Sequence, residues 1–296
     1  MIYMNAFSKV HPSVLMVYFV AVMSIGMFVT NPVTELLSLI GSILFCSVLT
    51  NAKEKKSDIL FYIPLMLLIT VTNPIFSHNG ATPLFFMNGN PVTVEAIVYG
   101  AYIAVMIVSV MLWCKAYSQI ITSDKFVYLF GRILPKLSLV LSMALRYVPM
   151  LKRQAKKISR TQKAMGLYST ESRFDRLRSG ASVFSVLIGW SLENAVETGK
   201  AMKARGYGLK GRTDYSDFIF HKSDFALLLL CVLLWGITVA GAATGKLDFS
   251  YYPETAEIPM GVFSIICYTA YGSLSLLPFI FEAEEMIRWK YYRSRI

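Results

Sequence analysis

Six stretches of this 296-residue chain run for about 17 to 22 residues almost without a charge: residues 12–30, 33–49, 59–75, 94–114, 225–245 and 260–281. In lipid only the chain itself can satisfy a backbone amide, so each run is read as a bilayer-spanning helix. The result is an all-α polytopic membrane protein with about six transmembrane helices. A hydrophobic content of 55%, a mean hydropathy of +0.52 and only 16% charged residues exclude an ordinary soluble fold. The first two runs are split only by Asn31-Pro32, which makes them a helical hairpin. Pro64 and Pro278 fall inside runs, where neighbouring helices can satisfy the freed carbonyls. The four cysteines sit singly within apolar runs and read as small buried hydrophobes. With one basic residue before the first run and no small-residue cleavage site after it, the start is not read as a cleavable signal peptide.

Charge sets the expected orientation, because Lys and Arg accumulate in cytoplasmic loops. Lys53, Lys55 and Lys56 place the loop after the second run inside, and the segment from Lys115 to Lys222 holds 20 of the 29 Lys and Arg. With both termini cytoplasmic, 28 of the 29 lie inside and only Lys246 lies outside. Three parts are expected: an N-terminal four-span bundle (1–114), a cytoplasmic coupling domain (115–222), and a C-terminal transmembrane hairpin with a basic tail (223–296). Residues 133–151 are apolar enough for a seventh span. Lys136 and Arg146 would then cost about 2.5 to 3.5 kcal/mol each if central, and the basic cluster 152–163 would be forced outside. The segment is therefore placed at the inner interface or against the bundle, with Pro135 and Pro149 as bends.

Within the basic segment, Leu151, Ala155, Ile158, Gln162 and Met165 recur at spacings of four, three, four and three, with Lys and Arg on the other faces. That is an amphipathic helix stopping at Gly166. A second runs through Leu192, Ala195, Gly199 and Met202 to stop at Gly206. The endings, Lys163-Ala164-Met165-Gly166 and Lys203-Ala204-Arg205-Gly206, resemble one another. Taken singly, either is ordinary punctuation, since cations complement the helix dipole and glycine tolerates the left-handed stop. Two copies point to paired docking. Ala195 and Gly199, with Ala155 and Ile158 opposite, would let the two helices cross closely and present both ends on one surface. A guanidinium can grip carboxylate or carbonyl oxygens with fixed geometry, which makes Arg205 the best single contact. Met165 can only pack apolar surface.

These residues resemble the transmembrane T component of energy-coupling factor (ECF) transporters. The similarity is carried by His11-Pro12, Gly89-Asn90-Pro91 with Glu95-Ala96, Ser123-Asp124-Lys125-Phe126, and Tyr128-Leu129-Phe130-Gly131-Arg132. It continues through Leu145-Arg146-Tyr147-Val148-Pro149 and Leu192-Glu193-Asn194-Ala195. It is most specific in Met202-Lys203-Ala204-Arg205-Gly206-Tyr207-Gly208. The resemblance implies a cell-membrane scaffold joining two ABC-type ATPases to a small substrate-binding membrane subunit (the S component) for vitamin or micronutrient uptake. It further implies a pair of crossed cytoplasmic coupling helices that end in Ala-Arg-Gly-like motifs. Ala204, Arg205 and Gly206 match that motif in full, and Ala164, Met165 and Gly166 only in Ala and Gly. The first end docks either by apolar contact or with charge from Arg160 or Lys163. No cofactor is expected on this chain, with ATP and Mg on the partner ATPases.

Two other classes compete. An intramembrane lipid-modifying enzyme would need clustered carboxylates for metal, and Glu193 and Glu197, one helical turn apart, are read instead as support for Lys200 and Lys203. The three histidines are scattered, no Gly-rich phosphate loop occurs, and neither catalytic nor metal-binding residues are assigned. A self-sufficient secondary transporter would carry ionisable residues deep in its spans. Glu35 and Glu95 are expected at the outer span starts, exposed to headgroups and water. His78 with Asn79-Gly80 is read as a turn. The aromatic and basic tail reads as an interfacial anchor and not as a nucleic-acid patch.

Overall fold

The computed structural model describes residues 7–77, 79–87, 90–166, 173–209, 218–253 and 255–293. Two compact units divide the chain, Met1–Thr122 with Phe218–Ile296, and Ser123–Asp217. The first contains six apolar helices: α1 (Pro12–Phe28), α2 (Pro32–Leu49), α3 (Ala52–Phe76), α4 (Val94–Ile120) and, numbered after the second unit's three helices, α8 (Lys222–Ala243) and α9 (Val262–Arg293). Five are long and apolar enough to cross a bilayer, and α1, at 17 residues, reaches the lower limit of about 17 for a span. Among its described residues the chain is an all-α polytopic membrane protein.

Local chemistry explains the boundaries. Pro12 and Pro32 stand at the first helical position, where a missing N–H leaves no bond unmade. Asn31 caps α2 by accepting the Val33 N–H at 3.0 Å, while its amide donates to the Leu247 carbonyl and the Tyr268 hydroxyl. The break between the first two runs is therefore also a tie to the α8–α9 connection. Two helices extend past the expected spans: α3 begins at Ala52 and α4 ends at Ile120. An ion pair between Asp58 and Lys115 joins these extensions.

The core is aromatic. Phe7, Tyr18, Phe19, Phe45 and Trp113 are buried in edge-on and tilted ring contacts. Lipid is as apolar as these side chains, so close packing and buried hydrogen bonds hold the helices together. Trp113 Nε1 donates to Ser38 Oγ at 3.1 Å, and Tyr18 donates to the Leu274 carbonyl at 3.2 Å. The segment before α1 is tied to α8 and α9, since the Phe7 amide donates to Glu282, Lys9 pairs with Glu285, and the His11 amide donates to Asp224.

Several expectations change in this unit. Glu35 is not exposed to headgroups: it is 1% accessible, because packing of α2 on α4 turns it into the bundle, where Ser109 Oγ donates to its Oε2 at 3.3 Å. Glu95 is also buried, accepting from the Thr82 hydroxyl at 2.8 Å. Thr82 comes from a segment expected as loop that forms a hairpin of β1 (Pro83–Met87) and β2 (Asn90–Thr93). Of the cysteines, Cys46, Cys231 and Cys267 are buried, but Cys114 is exposed on the outer face of α4. His78 lies outside the described residues.

The second unit consists of α5 (Ser123–Ile133), α6 (Pro135–Ala164) and α7 (Arg173–Ala204). The stretch expected at 133–151 and the amphipathic helix expected from Leu151 are not separate elements: Ile133 ends α5, and from Pro135 both run in one 30-residue helix, α6. Pro135 is not a bend within a helix but the first residue of one. Pro149 lies inside α6.

Close approach of α2 and α9 depends on Gly41, where an added Cβ would stand 2.8 Å from both Cβ and the backbone oxygen of Ser275. Gly41→Ala should cost about 1–3 kcal/mol and lower the thermal midpoint in detergent. Gly236→Ala in α8, with nothing within 4 Å of the added carbon, should not lower it.

Candidate functional site

The two glycine endings form by the same backbone chemistry. At the end of α7 the Gly206 N–H bonds the Lys203 carbonyl and the Tyr207 N–H bonds the Met202 carbonyl, each at 3.0 Å, with Gly206 at φ +77°. This is a Schellman stop, in which the left-handed glycine lets the chain turn back to satisfy the last carbonyls. At the end of α6 the Gly166 N–H bonds the Lys163 carbonyl at 3.1 Å, with φ +71°. The same geometry recurs at the end of α8, where Gly245 has φ +68° and the Gly245 and Lys246 N–H groups bond Ala242 and Gly241. That third copy carries no basic residue in its last turn. Backbone geometry is thus punctuation, and any recognition must come from side chains.

Those side chains are available. Ala164, Met165 and Gly166 are exposed, as are Arg160 and Lys163 in the preceding turns. Lys203, Ala204 and Arg205 are exposed at the other ending, where Gly206 is half-buried. Met165 leaves the amphipathic line that it was expected to continue: Leu151, Ala155 and Ile158 are half-buried and Gln162 is buried, but Met165 is 59% accessible.

Helices α6 and α7 lie antiparallel. Tyr147 and Thr198 share a hydrogen bond of 2.8 Å, and the Gln162 amide donates to Ser182 at 3.0 Å, so the pairing runs forward on one helix and backward on the other. At 1.5 Å per residue, the ends stand on the order of 35 Å apart, at opposite poles of the pair. The helices also do not meet at Ala195 and Gly199. Both are exposed, and a Cβ on Gly199 would find nothing within 4 Å. Thr198, half-buried one residue before Gly199, is where α7 meets α6, through Tyr147.

Two residues of this unit gained significance only from packing. Lys125 on α5 is buried, and loss of water around its ammonium pulls its pKa below the usual lysine value. Gln162 looked like one more position on a periodic face, yet it is the buried polar tie between α6 and α7. Glu193 and Glu197 are exposed and in no ion pair among the described residues. Among those residues no group of three or more His, Cys, Asp or Glu could hold a metal ion.

A multi-pass helical bundle, with a helical hairpin that carries two glycine-stopped ends, defines a polytopic membrane protein. Residues 5–215 match the model of the CbiQ family, described as cobalt transport protein, and the chain belongs to this family. It is similar to the energy-coupling factor transporter transmembrane protein EcfT of Listeria innocua, 28% identical over 214 residues that cover 66% of this chain and 81% of that one. The like-named protein of Leuconostoc gelidum is 28% identical over 195 residues, 60% of this chain and 69% of its own. That of Lactobacillus helveticus is 35% identical over 104 residues, 34% and 38% respectively. The expected resemblance to the T component therefore holds, and at the level of the family the chain is the membrane subunit of a transporter.

Because nothing packs on Gly199, replacing it with alanine should raise stability by about 0.5–1 kcal/mol through helix propensity alone. A higher denaturation midpoint for Gly199→Ala checks this, and a lower one would restore a close helix approach at that position.

Proposed function

We propose that this chain is the scaffold of an energy-coupling factor transporter, passing ATP-driven movement of two ABC-type ATPase subunits to a substrate-binding membrane subunit for uptake of a vitamin or other micronutrient. The observation that carries the reading is the placement of two exposed helix endings at opposite poles of one antiparallel pair. One such pair offers one end to each of two ATPases. Arg205 supplies a charged fork at one end and Met165 an apolar contact at the other, which fits two unlike ATPase surfaces. Arg160 and Lys163 add charge near the Met165 end.

Orientation follows from charge, with both termini cytoplasmic. This agrees with Phe7, Lys9 and His11 contacting Glu282, Glu285 and Asp224 at the same end of the bundle, the end that also carries Lys53, Lys55 and Lys56. ATP and Mg are held by the partners, and this chain performs no catalysis. For the substrate-binding subunit, support comes from Phe184, Ile188, Leu192 and Val196, an exposed apolar stripe at four-residue spacing on α7. So large an uncovered stripe marks an interaction surface.

Arg205→Glu should abolish co-purification of an ATPase subunit and ATP-dependent uptake, while leaving insertion into the membrane unchanged. Normal uptake and co-purification by that variant would remove Arg205 from the mechanism. ATP-independent uptake by the chain alone would favour a self-sufficient transporter, and lipid modification by the purified chain an enzyme.

A further inference from the structure

One stripe of α6 changes character along its length. Leu137, Leu141, Leu145 and Val148, then Lys152 and Lys156, follow one another at spacings of four and three, which keep side chains on one helix face. Leu141 is half-buried and the other five are exposed, Leu137 to 60% and Val148 to 51%. The stripe is therefore apolar as far as Val148 and cationic from Lys152. Arg146 and Arg153, two turns apart, are exposed beside it. Helix α6 holds eight Lys and Arg and no acidic residue. Arg146, Lys152, Arg153 and Lys156 enter no ion pair among the described residues.

That order selects the occupant. The stripe belongs to one continuous helix, so whatever covers it must be apolar against Leu145 and Val148 and anionic against Lys152. The rise from Val148 to Lys152 is about 6 Å, comparable with the roughly 5–7 Å of headgroup layer on each side of a bilayer. A phospholipid carries both chemistries in one molecule, with the phosphate next to the acyl chains. Nucleic acid offers the phosphate without the apolar part, and an acidic protein surface would meet the lysines while leaving the leucines in water. The guanidinium groups of Arg146 and Arg153 can fork phosphate oxygens. The unbalanced positive charge favours anionic over zwitterionic headgroups.

We propose that the exposed stripe of α6 from Leu137 to Lys156 is a lipid-contact surface. Its apolar turns lie among acyl chains, and Arg146, Lys152, Arg153 and Lys156 hold the headgroups of anionic phospholipid. On the orientation read above, the leaflet is the cytoplasmic one. The contact ends before the turns that carry Arg160 and Met165, and it does not depend on the two-ATPase reading. Its effect is to fix the depth of α6 at the membrane by charge on one side and by apolar contact on the other.

The test uses the full chain with benzoylphenylalanine in place of Val148, in nanodiscs of phosphatidylcholine and phosphatidylglycerol in equal amounts. After photolysis, the protein mass should show phosphatidylglycerol adducts several-fold in excess over phosphatidylcholine adducts. The excess should shrink towards parity in about 1 M salt, where the Debye length falls to about 3 Å. Combining Arg146→Gln, Lys152→Gln, Arg153→Gln and Lys156→Gln should abolish the excess while total lipid labelling and the thermal midpoint in phosphatidylcholine stay as they were. The salt series needs none of these four substitutions, so it reads the preference whether or not the combined variant folds. The same labelling is expected when the chain is purified together with its partner subunits. Equal labelling of the two lipids at low salt, an excess that survives the four substitutions, or crosslinks to a protein in place of lipid overturns the proposal. The last of these would assign the stripe to that protein, and the ATPase reading is tested separately by Arg205→Glu.

Discussion

Water is absent from the hydrocarbon core of a bilayer, and this decides both what the spans can be and what can hold them together. Each span satisfies its own amides as a helix, so no backbone N–H is left to choose neighbours. That choice falls to close contacts such as Gly41 on Ser275 and to a few polar side chains. Asn31 illustrates the economy: one side chain caps α2 and ties the first hairpin to Leu247 and Tyr268. Glu35 and Ser109, Ser38 and Trp113, and Asp58 and Lys115 make comparable ties between α2, α3 and α4.

The second unit uses different means. Its α6 and α7 are joined by polar contacts at two levels of an antiparallel pair and end in glycine stops that the chain also uses where no docking is proposed. What separates the two proposed ends from the stop at Gly245 is side-chain chemistry: Arg205 with Lys203 at one, and Met165 with Lys163 and Arg160 at the other. The two ends differ from each other in the same way. One end exposes a guanidinium and the other a thioether.

The spans were legible because a run of apolar residues long enough to cross a bilayer has few other folded outcomes, and the capped break at Asn31-Pro32 was legible because its chemistry is local. The glycine stops were legible for the same reason. Glu35 and Glu95 were misplaced because a position near a helix start says nothing about which face a neighbouring helix covers. The partition of α6 failed because a switch from apolar to basic composition looks like a boundary, although a helix backbone is indifferent to it. Gly199 was assigned to a crossing on spacing alone, and the neighbouring helix packs on another face.

Sequence alone determined the all-α membrane class, the approximate limits of the spans, the concentration of charge in the middle segment and the residues at the two endings. These follow from backbone satisfaction, from the cost of charge in lipid and from the left-handed stop, each acting within a turn or a span. Only the tertiary structure decided that the two endings stand at opposite poles, that Glu35 and Gln162 are buried, and that Gln162 keeps one oxygen unpaired beside Met165. Those facts depend on which helix faces meet, and that is settled by shape and side-chain reach between residues far apart in the chain.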